Sequence, residues 1–168
     1  MVGILLVVTL FGSGALLWTW ASRPAPCEDA NVTSERFGYC ITAPPGWRLA
    51  EPVDQELPAD QLFLPDGDAT VTILVVETGR DLSMFAEDVR RLQTDNGLTT
   101  EEMRELTVAG VDALQWDGTL GSSGAVKART VVFERDGFVW RLQFADSADA
   151  FDAHVGDLNR MLGSWRFR

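Results

Sequence analysis

The amino-terminal segment limits most strongly what this chain can fold into. Residues 2–22 carry no charged side chain and are mostly apolar. A helix rises about 1.5 Å per residue, so a run of this length crosses a hydrocarbon core about 30 Å thick. Trp18 and Trp20 lie near its end, where aromatic side chains favour the headgroup level, and Arg23 follows. The run predicts a transmembrane helix or signal anchor over residues 1–22.

Other interpretations of this run stay open. A cleaved signal peptide would lack a basic amino-terminal region and would have a poor cleavage site in the stretch from Trp18 to Ala21. A buried core helix would lack a polar face. Lipid attachment at Cys27 fits poorly because Pro26 precedes it. The flanking charges hardly decide the orientation of the span.

The charge balance excludes several classes of partner. The chain has 14 Lys and Arg against 25 Asp and Glu, a formal net charge of −11, and every charged residue follows position 22. Such a domain repels phosphate backbones, so nucleic acid is not expected as a partner. Anionic membrane surfaces are disfavoured as partners for the same reason.

The two cysteines favour an oxidising compartment. Cys27 and Cys40 are the only ones, and both follow the apolar run closely. A disulfide between them would tie the linker, residues 23–36, to the first strand, while the alternative is two free thiols. Two cysteines and a distant His154 do not provide the spacing of a metal site, so no metal or cofactor is expected.

The remainder, residues 37–168, reads as one α+β domain. Strands are predicted over 37–42, 61–64, 69–77 and 103–108, with a closing strand over 164–167. Helices are predicted over 81–96, with apolar Leu82, Phe85, Val89 and Leu92, and over 147–163, with Ser147 as the amino-terminal cap.

Three further strands form an antiparallel meander whose register can be predicted. The turn Asp136-Gly137 places Phe133 opposite Trp140 and Val131 opposite Leu142. A four-residue loop, 121–124, would pair Leu120 with Ala125, Trp116 with Arg129 and Leu114 with Val131. Together these registers predict that one buried face carries Leu114, Trp116, Val131, Phe133, Phe138, Trp140, Leu142 and Phe144.

This order of elements resembles the PsbP-like and DcrB-like superfamily of small extracytoplasmic domains over roughly residues 36–168. The resemblance is carried by the stretch Phe37–Ile41 followed by Ala43–Trp47, the helix at 82–92, the strand after Gly110 with Trp116, and the ending Ser164–Phe167. It implies an antiparallel sheet packed between helices, and a binding, assembly or chaperone-like accessory role without catalytic residues. The apolar amino-terminal run and the cysteine pair depart from the pattern.

Other motifs favour structural interpretations. His154 borders the apolar stripe of the last helix, without an evident nucleophile. Residues 118–127 lack the ending of a phosphate-binding loop and predict a hairpin, and residues 66–68 are too short for a calcium loop. The tripeptide beginning at Asn31 matches a glycosylation acceptor, a pattern common by chance.

The sequence thus predicts a non-enzymatic, membrane-anchored binding or accessory module outside the cytoplasm that acts through protein contacts. The alternative is a carrier of a small apolar ligand or lipid in a pocket between sheet and helix, lined by tryptophans such as Trp116 or Trp140. The weak candidates for partner contact are the acidic residues Glu51, Asp54, Glu56 and Asp60.

Overall fold

A computed structural model describes residues 27–51, 59–65, 67–121 and 124–168. The predicted span with Trp18 and Trp20, the linker residues before Cys27, and the acidic Asp54 and Glu56 lie outside these residues. Within the described ranges, no helix combines the length and the apolarity needed to cross a bilayer.

The described residues form an α+β fold with two antiparallel sheets and two helices. The first sheet has the order β1-β2-β11, and the second has the order β3-β4-β5-β10-β9-β8-β6, with β7 also pairing β8. The strands are β1 (Val32–Ser34), β2 (Tyr39–Ile41), β3 (Arg48–Leu49), β4 (Ala59–Phe63), β5 (Thr70–Glu77), β6 (Leu98–Thr100), β7 (Arg104–Val108), β8 (Val111–Leu120), β9 (Val126–Arg135), β10 (Phe138–Ser147) and β11 (Arg166–Phe167). The helices are α1 (Leu82–Asp95) and α2 (Phe151–Gly163).

The β9–β10 hairpin confirms its predicted register. Phe133 lies opposite Trp140 and Val131 opposite Leu142. Asp136 and Gly137 both have positive φ, 54° and 82°, as a two-residue turn of this type requires.

The predicted register between β8 and β9 is wrong by one residue. Trp116 lies opposite Thr130 rather than Arg129, and Leu120 lies opposite Val126. The connection occupies residues 121–125 instead of 121–124, and the extra residue turns every β8 side chain to the other face. Trp116 and Leu114 therefore lie on the opposite face of the sheet from Phe133 and Trp140.

The helices follow the predictions with two corrections. The Asp81 side chain caps α1 by accepting hydrogen bonds from the backbone of Ser83 and Met84, but Leu92 is 56% exposed, so it does not belong to the buried stripe. Ser147 is the last residue of β10 and not a cap, because α2 begins only at Phe151.

Three short strands were not predicted. Among them, β1 lies inside the predicted linker and pairs with β2. Just before it, Asn31 Nδ2 donates to the Ala43 carbonyl at 2.8 Å, and Asn31 Oδ1 accepts from the Ala43 N–H at 2.7 Å. The side chain of Asn31 thus replaces a backbone pairing at the end of β2.

The large sheet separates two apolar clusters of unequal size. On one face, the small sheet and α2 cover Val131, Phe133, Trp140 and Leu142. On the other face, α1 covers a smaller cluster, which consists of Ala86, Val89, Trp116 and Val132 with partly buried Leu82, Phe85, Met103 and Leu114.

Candidate binding surfaces

Aromatic rings fill the junction between the two sheets. Tyr39 stacks on Trp165 with ring centroids 4.5 Å apart, and Trp140 meets both rings edge-on. Phe133 stacks on Trp140, and Phe167 closes the group from β11. These rings are packed against one another, so the interior of this junction is solid.

A buried polar pair stabilises the same junction. The Tyr39 hydroxyl donates to Asp60 Oδ2 at 2.9 Å, and both residues are buried. Burial raises the pKa of Tyr39, and the charge of Asp60 and the hydrogen bond to it add to the rise. Asp60 lies in β4 and belongs to the interior, whereas Glu51 is exposed.

Cys27 and Cys40 form a disulfide bond, as predicted. Cys40 is fully buried in β2, with Arg166 of β11 opposite it. The bond therefore fixes the start of the described chain against the middle of the small sheet.

A cleft of about 230 Å³ opens beside this junction, where β2, β11 and the β9–β10 turn meet. The guanidinium of Arg135 lies 4.1 Å from the centroid of the Phe167 ring, and that of Arg36 lies 4.8 Å from the Phe37 ring. We call the region the aromatic end. Its residues are Arg36, Phe37, Gly38, Arg135, Asp136, Phe138, Trp140, Phe167 and Arg168.

The opposite end of the sheet carries a second, more polar cleft of about 220 Å³. There Arg129 donates two hydrogen bonds of 2.7 Å to the carboxylate of Asp117, which raises the pKa of Arg129. Glu101 and Asp152 also line this cleft. Its arginine is already paired with a carboxylate, and its lysine, Lys127, lies over the Phe151 ring, 5.7 Å from the ring centroid.

The α1 face of the sheet has a buried polar bridge. Gln93 Oε1 accepts from Trp116 Nε1 at 2.7 Å, and Gln93 Nε2 donates to Thr130 Oγ1 at 2.9 Å. The indole N–H of Trp116 is thereby satisfied within the core, where the side chain is 1% exposed.

Part of the same face has only partial cover. Since α1 packs over β6, β8 and β9, several neighbouring residues of β5 and β10 are only half-buried, although Val139 beside them is fully buried. We call this region the open half-face: Thr72, Leu74, Val76, Arg141 and Gln143. It is the surface of the neighbouring strands β5 and β10 that faces away from α2, and it mixes apolar and polar side chains.

Arg141 is the chemically distinctive residue of the open half-face. On the neighbouring strands it lies opposite Leu74 of β5 and Val132 of β9, and its buried Nε has no hydrogen-bond partner among the described residues. Burial lowers the pKa of Arg141, because no carboxylate offsets the loss of water. The sequence shows Arg141 as a cation between apolar residues of a predicted strand. It does not indicate the face of the sheet on which this residue lies.

The remaining candidate residues have structural roles. His154 Nδ1 lies 2.7 Å from Oδ2 of the buried Asp146, which links the first turns of α2 to β10. Trp47 Nε1 donates to Asp157 Oδ2, so the Pro-Gly-Trp loop docks on α2. In the stretch 118–127, residues 118–120 belong to β8 and residues 126–127 to β9, and the two strands pair antiparallel. Among the described residues, no three His, Cys, Asp or Glu side chains could together hold a metal ion.

Comparison with known proteins gives matches to structures but not to sequences. No protein-family model and no curated protein matches the chain. The solution structure of cyanobacterial PsbP (CyanoP) from Synechocystis matches with a TM-score of 0.62 and 14% identity, over 82% of this chain and 91% of that one. The fold is PsbP-like.

A second PsbP-like match is LpqN of Mycobacterium tuberculosis, described as involved in cell envelope biogenesis. Its TM-score is 0.55 and its identity 19%, over 76% of this chain and 81% of that one. At these identities, the matches establish the PsbP-like fold that the sequence resemblance predicted, while function has to be argued from the surfaces.

Proposed function

We propose that this chain is a membrane-anchored accessory domain that lies outside the cytoplasm and binds a protein of the cell envelope. The observation that carries the proposal is the disulfide bond between Cys27 and Cys40. Disulfide bonds persist in oxidising compartments and are rare in the cytosol. The uncharged run at residues 2–22 ends five residues before Cys27. It supports an anchor in the membrane that borders this compartment.

The PsbP-like fold agrees with an accessory role. One protein with this fold, LpqN, is involved in cell envelope biogenesis. Of the described candidates, Asp60 and His154 have structural partners and Glu51 is exposed on the surface, so binding explains the surface better than catalysis does.

The open half-face supports contact with a partner that presents a carboxylate. A half-buried guanidinium without a partner carries a desolvation cost, which a carboxylate would offset through paired hydrogen bonds. Leu74 and Val76 provide the apolar surface beside it. A partner laid over β5 and β10, with an acidic side chain or a chain terminus at Arg141, fits both features.

The carrier of a small apolar ligand is less well supported. The cleft that reaches Trp140 measures about 230 Å³, and Trp116 is packed against α1. Typical ligand sites measure roughly 300–1,000 Å³, so this cleft is smaller than a typical ligand site.

The compartment is tested by labelling the thiols of the full chain in intact cells. A maleimide that does not cross membranes should label Cys27, the more exposed of the two cysteines, only after reduction, and the chain should resist alkaline extraction from the membrane fraction. Labelling without reduction, or labelling by a membrane-permeant reagent alone, would contradict the proposed location.

The binding surface is tested by photocrosslinking in cells, with p-benzoylphenylalanine in place of Gln143 on the open half-face. The crosslinked species should be lost when Arg141→Glu is added. Arg104→Glu is the matched control, since Arg104 is exposed on β7 and pairs with Glu101. Equal crosslinking in both charge variants would rule out Arg141 as the contact.

A further inference from the structure

The disulfide bond fixes which part of the domain lies nearest the proposed anchor. The segment from Cys27 to Asn31 runs alongside β2. Cys27 is bonded to Cys40, the Asp29 carbonyl accepts from Thr42 Oγ1 at 3.3 Å, and Asn31 pairs with Ala43. Cys27 is therefore the point of this segment nearest to Tyr39 and Gly38, and Gly38 belongs to the aromatic end.

The linker between the apolar run and Cys27 is short. Only residues 23–26 separate Ser22 from Cys27, which spans at most about 17 Å even when fully extended. A domain of this size has a radius of gyration of about 14 Å. An anchored domain therefore rests against the headgroup layer, with the region around Cys27 closest to it.

From the position of Cys27, strands β2 and β11 run to the aromatic end. Arg168 N donates to the Gly38 carbonyl at 2.9 Å, and Phe167 lies opposite Tyr39, so the ends of β2 and β11 coincide. The β9–β10 turn reaches the same place and carries Phe138, whose side chain is 42% exposed. Exposed aromatic rings with arginines beside them are typical of surfaces at the membrane interface.

The charges of the aromatic end suit a headgroup layer better than the net charge of the chain suggests. Arg135 pairs with Asp136 at 3.1 Å, and Arg168 pairs with Glu35. Arg36 lies over the Phe37 ring. Glu77, which lies opposite Phe138 on β5, is a third and exposed acidic group at this end. The three arginines equal the three acidic groups in number, so the repulsion expected of a chain with a net charge of −11 is locally offset.

We infer that the aromatic end is the membrane-facing surface of the domain, with the Phe138 ring in the headgroup layer. This inference rests on the proposed anchoring. A protein partner at this end would have to enter between the domain and the bilayer, and the linker leaves little space for it. The open half-face, on the side of the sheet, stays accessible to a protein partner.

Leu120 gives a matched control position. It is 39% exposed and lies opposite Val126, whereas Phe138 lies opposite Arg135. These two β9 positions are nine residues apart, or about 30 Å along the strand. One exposed apolar side chain is thus placed beside each end of β9.

The test uses the full chain in vesicles of phosphatidylethanolamine with a minority of phosphatidylglycerol. Phe138→p-benzoylphenylalanine should form a lipid adduct on irradiation, detected by the added mass, and Leu120→p-benzoylphenylalanine should form little or none. Equal adducts at both positions, or none at residue 138 in a chain that resists alkaline extraction, would overturn the inference but leave the anchoring intact. A chain that the alkaline wash removes would contradict the anchoring itself, and the inference with it.

The unmodified chain provides a second measurement that does not depend on a variant. Hydroxyl radicals generated in water oxidise exposed side chains, and phenylalanine reacts more readily than leucine. In vesicles, Phe138 should nevertheless be oxidised less than Leu120. Greater oxidation of Phe138 would show that the aromatic end faces water, and would overturn the inference.

Discussion

The two faces of the large sheet are built in different ways. The face under α2 and the small sheet is filled with large apolar and aromatic side chains, and its polar pair, Tyr39 and Asp60, is buried with them. The face under α1 has few buried residues, relies on the Gln93 bridge and leaves Arg141 half-covered. The first face accounts for most of the stability, and the second has the surface left for binding.

The largest expected effect comes from breaking the aromatic face. Trp165→Ala should lower the free energy of unfolding by about 3–5 kcal/mol, the usual cost of a large core truncation. The Trp165 side chain is 1% exposed and its Nε1 makes no hydrogen bond, so the loss is one of packing. Urea unfolding followed by far-ultraviolet circular dichroism measures it.

The control for Trp165→Ala is Leu92→Ala on the exposed side of α1. Leu92 is 56% exposed, so its truncation should change stability by less than about 0.5 kcal/mol. Similar losses in the two variants would show that the two faces do not differ in the way described.

The disulfide bond should give the next largest effect, and it acts on the same face. The cysteines are 13 residues apart, and closing a loop of that length stabilises the folded state by about 3 kcal/mol. The double substitution Cys27→Ser with Cys40→Ser should lose this amount in urea unfolding. The wild-type chain with excess reductant should match the double variant, and a reduced chain of unchanged stability would contradict the prediction.

On the α1 face, the expected effect is smaller. Gln93→Met keeps the volume but leaves Trp116 Nε1 and Thr130 Oγ1 without their partner, which should cost about 1–3 kcal/mol. Gln143→Met, on the open half-face, should cost less than about 0.5 kcal/mol. Equal losses measured by urea unfolding would show that the Gln93 bridge is not what stabilises this face.

The smallest effect concerns the polar pair inside the aromatic face, and it appears only at high pH. Burial raises the pKa of Tyr39, so the folded chain keeps the phenol proton where an unfolded tyrosine, with a pKa of about 10, loses it. Stability should therefore be level below about pH 10 and fall above it by up to about 1.4 kcal/mol per pH unit.

The Tyr39 prediction is checked by absorbance of the phenolate, because this is the chain's only tyrosine. The folded protein should show no phenolate near pH 11, and urea should release it. Tyr39→Phe should remove the additional loss of stability above about pH 10. Phenolate formation before unfolding would mean that Tyr39 is accessible to water.

The sequence predicted the aromatic face better than the α1 face, and the reason lies in the two loops. Asp136-Gly137 permits one tight turn, so the β9–β10 register followed from the residues. The glycine-rich connection after Leu120 accommodates four or five residues. This difference of one residue decides whether the Trp116 side chain faces Phe133 or α1.

The candidate surfaces were predicted least well, since they depend on contacts between distant elements. The pattern of α1 suggested Leu92 as buried, while the structure buries Gln93, whose partners lie on β8 and β9. The acidic candidates included Asp60, which the structure uses as the acceptor for Tyr39. No local pattern indicates these pairings, because they arise when the sheet and the helices come together.

The pairing of Asn31 with Ala43 has a practical consequence for producing this protein. In a eukaryotic secretory host, an oligosaccharide transferred to Asn31 would be linked through Nδ2, the atom that donates to the Ala43 carbonyl. The sugar would need the space that β2 occupies. A glycosylated chain could therefore not form the pairing between Asn31 and Ala43. Thr33→Val removes the glycan site, suits strand β1 and leaves both Asn31 hydrogen bonds in place, which makes it the first substitution to introduce for secretion from such cells.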